Sequence, residues 1–176
     1  MAGSLIKIDE EIVTSAVASV TLGGANWDSS YDVYMVQYHN VQPASDNKNF
    51  FFRVTTSGTP DITANYDEAY KILRANTTFS NQSATNLTQI TVAPSLGNNT
   101  GEKANATMYL FNFNNASEYS FVTVEGNNLN LIPDNVGYQG GFVHTVAQAC
   151  DGLHFYMESS ININAGARFV LYGLKK

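Results

Sequence analysis

Ile12-Val13-Thr14-Ser15-Ala16-Val17-Ala18-Ser19-Val20-Thr21-Leu22 decides the fold class. Ile12, Thr14, Ala16, Ala18, Val20 and Leu22 fall on alternate positions, the period of two that a half-buried strand requires. A helix would place its apolar residues three and four apart. The stretch therefore predicts one long first strand, ended by Gly23-Gly24.

The same period runs outward through the chain. From Tyr31 to Val41 both parities are apolar or aromatic, which predicts a central strand covered on both faces. Phe50, Phe52 and Val54 follow a turn-rich loop and point to the core. Further strands are expected over 87–92, 104–113, 119–125, 136–145, 152–157 and 168–174, separated by Gly- and Asn-rich turns. One segment breaks the pattern. Tyr66, Ala69, Tyr70 and Leu73 sit at i, i+3, i+4 and i+7 behind Asn65, a residue suited to an N-cap, which predicts a helix of one or two turns. Residues 76–86 read as polar loop.

About nine strands with one short helical turn define an all-β chain, an antiparallel β-sandwich or jelly roll. Residues 11–176 form a single domain on this reading, with 1–10 as a candidate N-terminal arm carrying Asp9-Glu10 ahead of it. The last strand is expected to close the domain. Phe52, Val54, Leu110, Phe169 and Leu171 are the expected core.

Charged residues make up only 14% of the chain, against about 25% in ordinary globular domains. Its polar surface comes from amides and hydroxyls, with 20 asparagines. Such a surface loses little on packing against another protein. A net charge of −6 argues against binding a nucleic-acid backbone, which needs clustered Lys and Arg. No apolar run approaches the length of a membrane span, and no secretory signal is legible. Cys150 is the sole cysteine, so no intrachain disulfide can form, and a buried structural thiol is its expected role. Six Asn-x-Ser/Thr sequons occur, at Asn76, Asn81, Asn86, Asn98, Asn105 and Asn115, a mild excess over chance in so Asn-rich a chain.

No motif for catalysis stands out. The spacing of His39, His144 and His154 gives no zinc signature, and Gly-x-Ser-x-Gly is absent. Cys150, His144 and Asp151 could be assembled into a thiol site, but no basic residue beside Cys150 in the sequence would lower its pKa. Most acids lie in turns, where backbone hydrogen bonding accounts for them. No metal, cofactor or catalytic residue is assigned. One cluster has the composition of a glycan or partner contact, an aromatic platform rimmed by an amide and a carboxylate: Asn26, Trp27, Asp28 and Tyr31.

Three segments carry a resemblance. They are Leu22-Gly23-Gly24 with Trp27 to Tyr34 and on to Val41, Phe52-Arg53-Val54-Thr55-Thr56-Ser57-Gly58-Thr59 with Tyr66 to Tyr70, and the ending from Ala165 to Lys176. Together they resemble β-sandwich virion proteins of tailed phages, particularly those of marine and cyanobacterial phages. The resemblance implies a non-enzymatic structural module on the capsid or tail of the virion, working as a homo-oligomer, with a trimer the favoured order. Its expected partners are other virion proteins. The alternative is a receptor- or glycan-binding, lectin-like module of a tail fibre, whose partner would be a host surface glycan.

Overall fold

The computed structural model describes residues 4–132 and 134–175. Among them thirteen strands form: β1 Ser4–Ile12, β2 Ser19–Gly23, β3 Val33–Val41, β4 Lys48–Thr56, β5 Thr59–Pro60, β6 Tyr66–Arg74, β7 Ser80–Leu87, β8 Ile90–Leu96, β9 Ala104–Phe111, β10 Ser120–Leu129, β11 Asn135–His144, β12 Gly152–Met157 and β13 Arg168–Lys175. They build an all-β antiparallel sandwich. The large sheet has eight strands in the order β1-β13-β3-β9-β10-β11-β6-β7. The small sheet runs β2-β12-β4-β5, with β8 also on β4. Among the described residues helix is confined to two short 3-10 turns, Gly24–Asn26 and Glu158–Ser160.

The core lies between the sheets. Phe50, Phe52, Phe155 and Phe169 interlock with Tyr38, with ring centroids 5.3 to 6.3 Å apart. Phe52, Val54, Leu110, Phe169 and Leu171 are all buried, as expected from alternation. One inner row shows how residue size is matched across strands. Tyr38, Ala106, Gly126 and Tyr138 stand side by side on β3, β9, β10 and β11. A Cβ on Gly126 would lie 2.5 Å from the Tyr138 ring, so the missing side chain is the space the ring occupies. Tyr138 can thus reach over β10 and donate its hydroxyl to that of Tyr38, which donates in turn to the Val92 carbonyl at 2.9 Å. The second bond ties the large sheet to β8.

The structure corrects five expectations. The first strand is two strands. β1 belongs to the large sheet and β2 to the small one, and residues 13–18 cross between them. Val13 and Val17 turn inward on this crossing, Val13 N donating to Ala167 O and Val17 bridging Ile163, while Ile12, Thr14, Ala16 and Ala18 are exposed. The helix over 66–73 is instead β6. Nine residue pairs with β11 outweigh a local spacing worth little by itself. Residues 80–86, expected as loop, pair with β6 together with Leu87 as edge strand β7, which is polar because one side of it meets water. Residues 4–12 pair with β13, so 4–10 belong to the sheet and not to an arm, while residues 1–3 of the expected arm lie outside the described residues. Finally, β3 is covered on one face only. Its outward Met35 is shielded within its own sheet, between Tyr172 and Tyr109.

Candidate functional site

The outer face of the large sheet is the face that no strand of the described chain covers. Register places its residues in rows running across the strands. At one end Val33, Phe111, Phe121 and Val143 align across β3, β9, β10 and β11, and Leu5 aligns with Leu174 on β1 and β13. The next row reads Lys7, Tyr172, Met35, Tyr109, Thr123, Gly141, Ala69 and Ser83. Beyond it the face turns polar, with Gln37, Thr107, Glu125, Gln139 and Lys71 level with one another. The first two rows hold large exposed apolar groups: Leu5 is 50% exposed, Phe121 44% and Tyr109 39%. Between Phe121 and β7 the face forms an open groove of about 570 Å³, floored by Gly141 and Ala69 and flanked by Val143 and Ala84. Glu68 also borders it. Burial pushes that carboxyl above its ordinary pKa, partly offset by the Thr91 N–H it accepts.

The cluster expected from sequence is brought together, but mostly in structural roles. Trp27 packs on Tyr34 at 4.1 Å and Phe113 at 5.8 Å between ring centroids, and donates its indole N–H to Asn114 Oδ1 at 2.9 Å. It closes one end of the sandwich. The Asn114 amide donates onward to the Ser29 and Tyr31 carbonyls. Asn26 donates to Asp9 Oδ1 at 3.0 Å, and Asp9 also accepts Gly23 N–H. Asp28 accepts Ser30 N–H in a tight turn, and hydrogen bonding from the Ser30 side chain first, then from this N–H, holds its carboxyl below the usual range. Tyr31 differs. Its ring lies where a Cβ on Gly173 would otherwise stand, and with Ile6, Asp32, Leu174 and Lys175 it lines a groove of about 520 Å³.

Of the grouping considered and set aside in the sequence, Cys150 and His144 do come together, but with a different acid. Asp61 Oδ2 is 2.7 Å from His144 Nε2, and His144 Nδ1 is 4.0 Å from Cys150 Sγ. Asp151 is occupied elsewhere, accepting Thr55 Oγ1 and Gly58 N–H, and its carbonyl accepts Gly24 N–H. Cys150 and His144 are each 2% exposed, and burial raises the thiol pKa. That is the environment of an inert thiol, since a reactive one needs the thiolate and a path to solvent. Among the described residues no group of three or more His, Cys, Asp or Glu is close enough to hold a metal ion.

The outer apolar rows could have been found in the sequence. Val33, Tyr109, Phe111, Phe121 and Val143 occupy the parity opposite to the core residues of their strands, where a solvated face would carry polar groups. No protein-family model matches the chain, and no curated protein matches it.

Proposed function

We propose that this chain is a non-enzymatic structural protein of a tailed-phage virion, a β-sandwich module that assembles with copies of itself on the capsid or tail. One observation carries the reading: the apolar rows on the outer face of the large sheet, centred on Phe121 and Tyr109. Exposed apolar patches of this kind mark interaction sites. The low charge of the surface lowers the cost of covering it. The resemblance of three segments to virion proteins supplies the setting, and two of them lie side by side as β3 and β13. The third meets the first where Gly58 packs against Gly24, both held by Asp151.

Light scattering on the purified chain tests self-assembly. A mass at a multiple of 19.2 kDa is expected, three-fold being favoured by the resemblance. A single-chain species at high micromolar concentration would overturn it. Antibody against the chain should label capsid or tail of the purified particle, and its absence there would remove the virion setting.

The Tyr31 groove favours a second reading, a glycan-binding module of a tail fibre. It combines an aromatic ring with Asp32 and Lys175 in an open concavity. A glycan-dependent rise in melting temperature, lost in Tyr31→Ala, would support it over the first.

A further inference from the structure

The two sheets divide the charge of the chain unequally. The chain has 15 Asp and Glu, and none of them stands in the five strands of the small sheet, which carry Lys48, Arg53 and His154. Strands as such do not exclude acids here, since Asp9, Glu10, Glu11, Asp67, Glu68 and Glu125 lie in strands of the large sheet. On the outer face of the small sheet Thr21, His154 and Arg53 stand level on β2, β12 and β4, and Tyr156 and Phe51 stand level in the next row. Arg53 is held in place. Its guanidinium lies over the Tyr156 ring, 4.8 Å from the centroid. It donates Nε–H to the Thr88 carbonyl at 2.8 Å and Nη2–H to Gln89 Oε1 at 3.2 Å. The Tyr156 hydroxyl donates to the same Gln89 oxygen at 2.7 Å. Three of the five guanidinium N–H groups are left over, and no carboxylate pairs with Arg53 among the described residues. His154 Nδ1 shares a hydrogen bond of 2.8 Å with Thr21 Oγ1. Like charges directly opposite each other destabilise a sheet. Burial, and then the Arg53 charge beside it, hold the His154 imidazole below its ordinary pKa.

We propose that the outer face of the small sheet binds a carboxylate-bearing sugar, with the carboxylate held between Arg53 and His154. Side chains opposite each other on paired strands start about 4.5 to 5.5 Å apart, so one carboxylate reaches both. Arg53 supplies a planar fork that matches the two carboxylate oxygens. His154 takes up a proton as the anion arrives, donating through Nε2 to the carboxylate and through Nδ1 to Thr21 Oγ1. The arriving anion thus relieves the opposition of Arg53 and His154 that the bare sheet imposes. A phosphate chain would call for several standing cations, and this row has one. The rim is hydroxyl and amide, which suits sugar hydroxyls: Thr21 is exposed, and the Gln89 amide N–H groups have no partner in the described chain. The outer faces of a sandwich point opposite ways, so assembly through the large sheet leaves this face open. The inference stands whether or not copies associate, and it does not involve the Tyr31 groove.

Titration of the purified chain with glucuronate and with N-acetylneuraminate tests this, glucose and acetate serving as controls. The readout is the imidazole resonances of the three histidines, His154→Gln identifying the one that matters. At least one acidic sugar should move the His154 resonance and raise its titration midpoint, and neither control should. Binding should weaken between about pH 5 and pH 8, because the anion favours the imidazolium form, which is lost across that range. Arg53→Gln should weaken binding about tenfold or more, and His154→Gln should flatten its pH dependence. Circular dichroism checks each variant. Arg53→Lys keeps the charge without the fork, so it tests the site even if Arg53→Gln does not fold, and it should retain only part of the affinity. Acetate bound as tightly as the sugars, or a polyglutamate peptide bound more tightly, would overturn a sugar as the ligand. No binding of either sugar, or binding unchanged in both the Arg53 and the His154 variants, would overturn the site. Tyr31→Ala should bind as the wild type does and oligomeric mass should not respond, so failure here leaves self-assembly and the Tyr31 groove standing.

Discussion

The two faces of the eight-stranded sheet are made by alternate residues of the same strands, yet they obey different rules. On the inner face, Tyr34, Val36 and Tyr38 of β3 and Ala106, Met108 and Leu110 of β9 are buried from end to end. On the outer face, the row through Phe111 and Phe121 is apolar and the row through Thr107 and Glu125 is polar. Packing against the small sheet explains the first pattern completely. Nothing within the described chain explains the second, because a face meeting only water has no reason to change along the strand. On the proposed reading the gradient marks a surface that another copy covers, and it would separate residues that hold the fold from residues that serve assembly.

The largest break in that comparison should come from the inner face. Phe169→Ala and Phe155→Ala each empty a site that is fully buried, and each should lower unfolding free energy by about 3 to 5 kcal/mol in urea titration. A loss below about 1 kcal/mol at both would mean that the inner rows are not close-packed. Gly126→Ala should cost about 1 to 3 kcal/mol, because the added methyl meets the Tyr138 ring. The loss should shrink when Tyr138 is shortened to Leu in the same chain, since the clash is then relieved.

Acid should act at one end of the inner face. Burial alone would raise the Asp61 carboxyl, but hydrogen bonds from Thr63, His144 and Asn65 outweigh it and hold the pKa at about 2, against an ordinary 3.8. The folded value lies below the unfolded one. The contribution is therefore complete above about pH 4 and is lost as pH falls from there towards 2. Urea midpoints measured across that window should decline less steeply in Asp61→Asn. Glu68, raised by burial, works in the opposite sense over its own range, so Glu68→Gln should steepen the acid loss. The smallest effect on stability belongs to the outer face. Phe121→Ser should move unfolding by no more than about 0.5 kcal/mol, while weakening association measured by sedimentation. A large loss of stability without a change in association would erase the distinction between the faces.

The fold class was legible because alternation is written into each strand, and the core residues Phe52, Val54, Leu110, Phe169 and Leu171 followed from it. What was not legible depended on partners distant in sequence. Residues 12–22 alternate without a break, and only the bonds of Val13 to Ala167 and Val17 to Ile163 show that the chain changes sheets there. Tyr66, Ala69, Tyr70 and Leu73 satisfy a helical spacing by coincidence, and β11 decides otherwise. β7 looks like loop because an edge strand needs no apolar residues of its own. In the candidate cluster, composition found Trp27 and Tyr31 but could not tell a capping indole from a ring lining a groove. That difference lies in Asn114 and Gly173, far along the chain.

The placement of β13 between β1 and β3 bears on how the chain is made. On a ribosome, residues 4–12 emerge more than 150 residues ahead of their partner, residues 168–175. Until then β1 has no neighbour and one edge of β3 is bare. Local contacts cannot finish this sheet, so folding should be slow for a domain of this size and cannot be completed until residues 168–175 are made. The interval in which those edges stand open is when the chain is most exposed to wrong pairing, and β1, the strand that waits longest, carries four of its few charges.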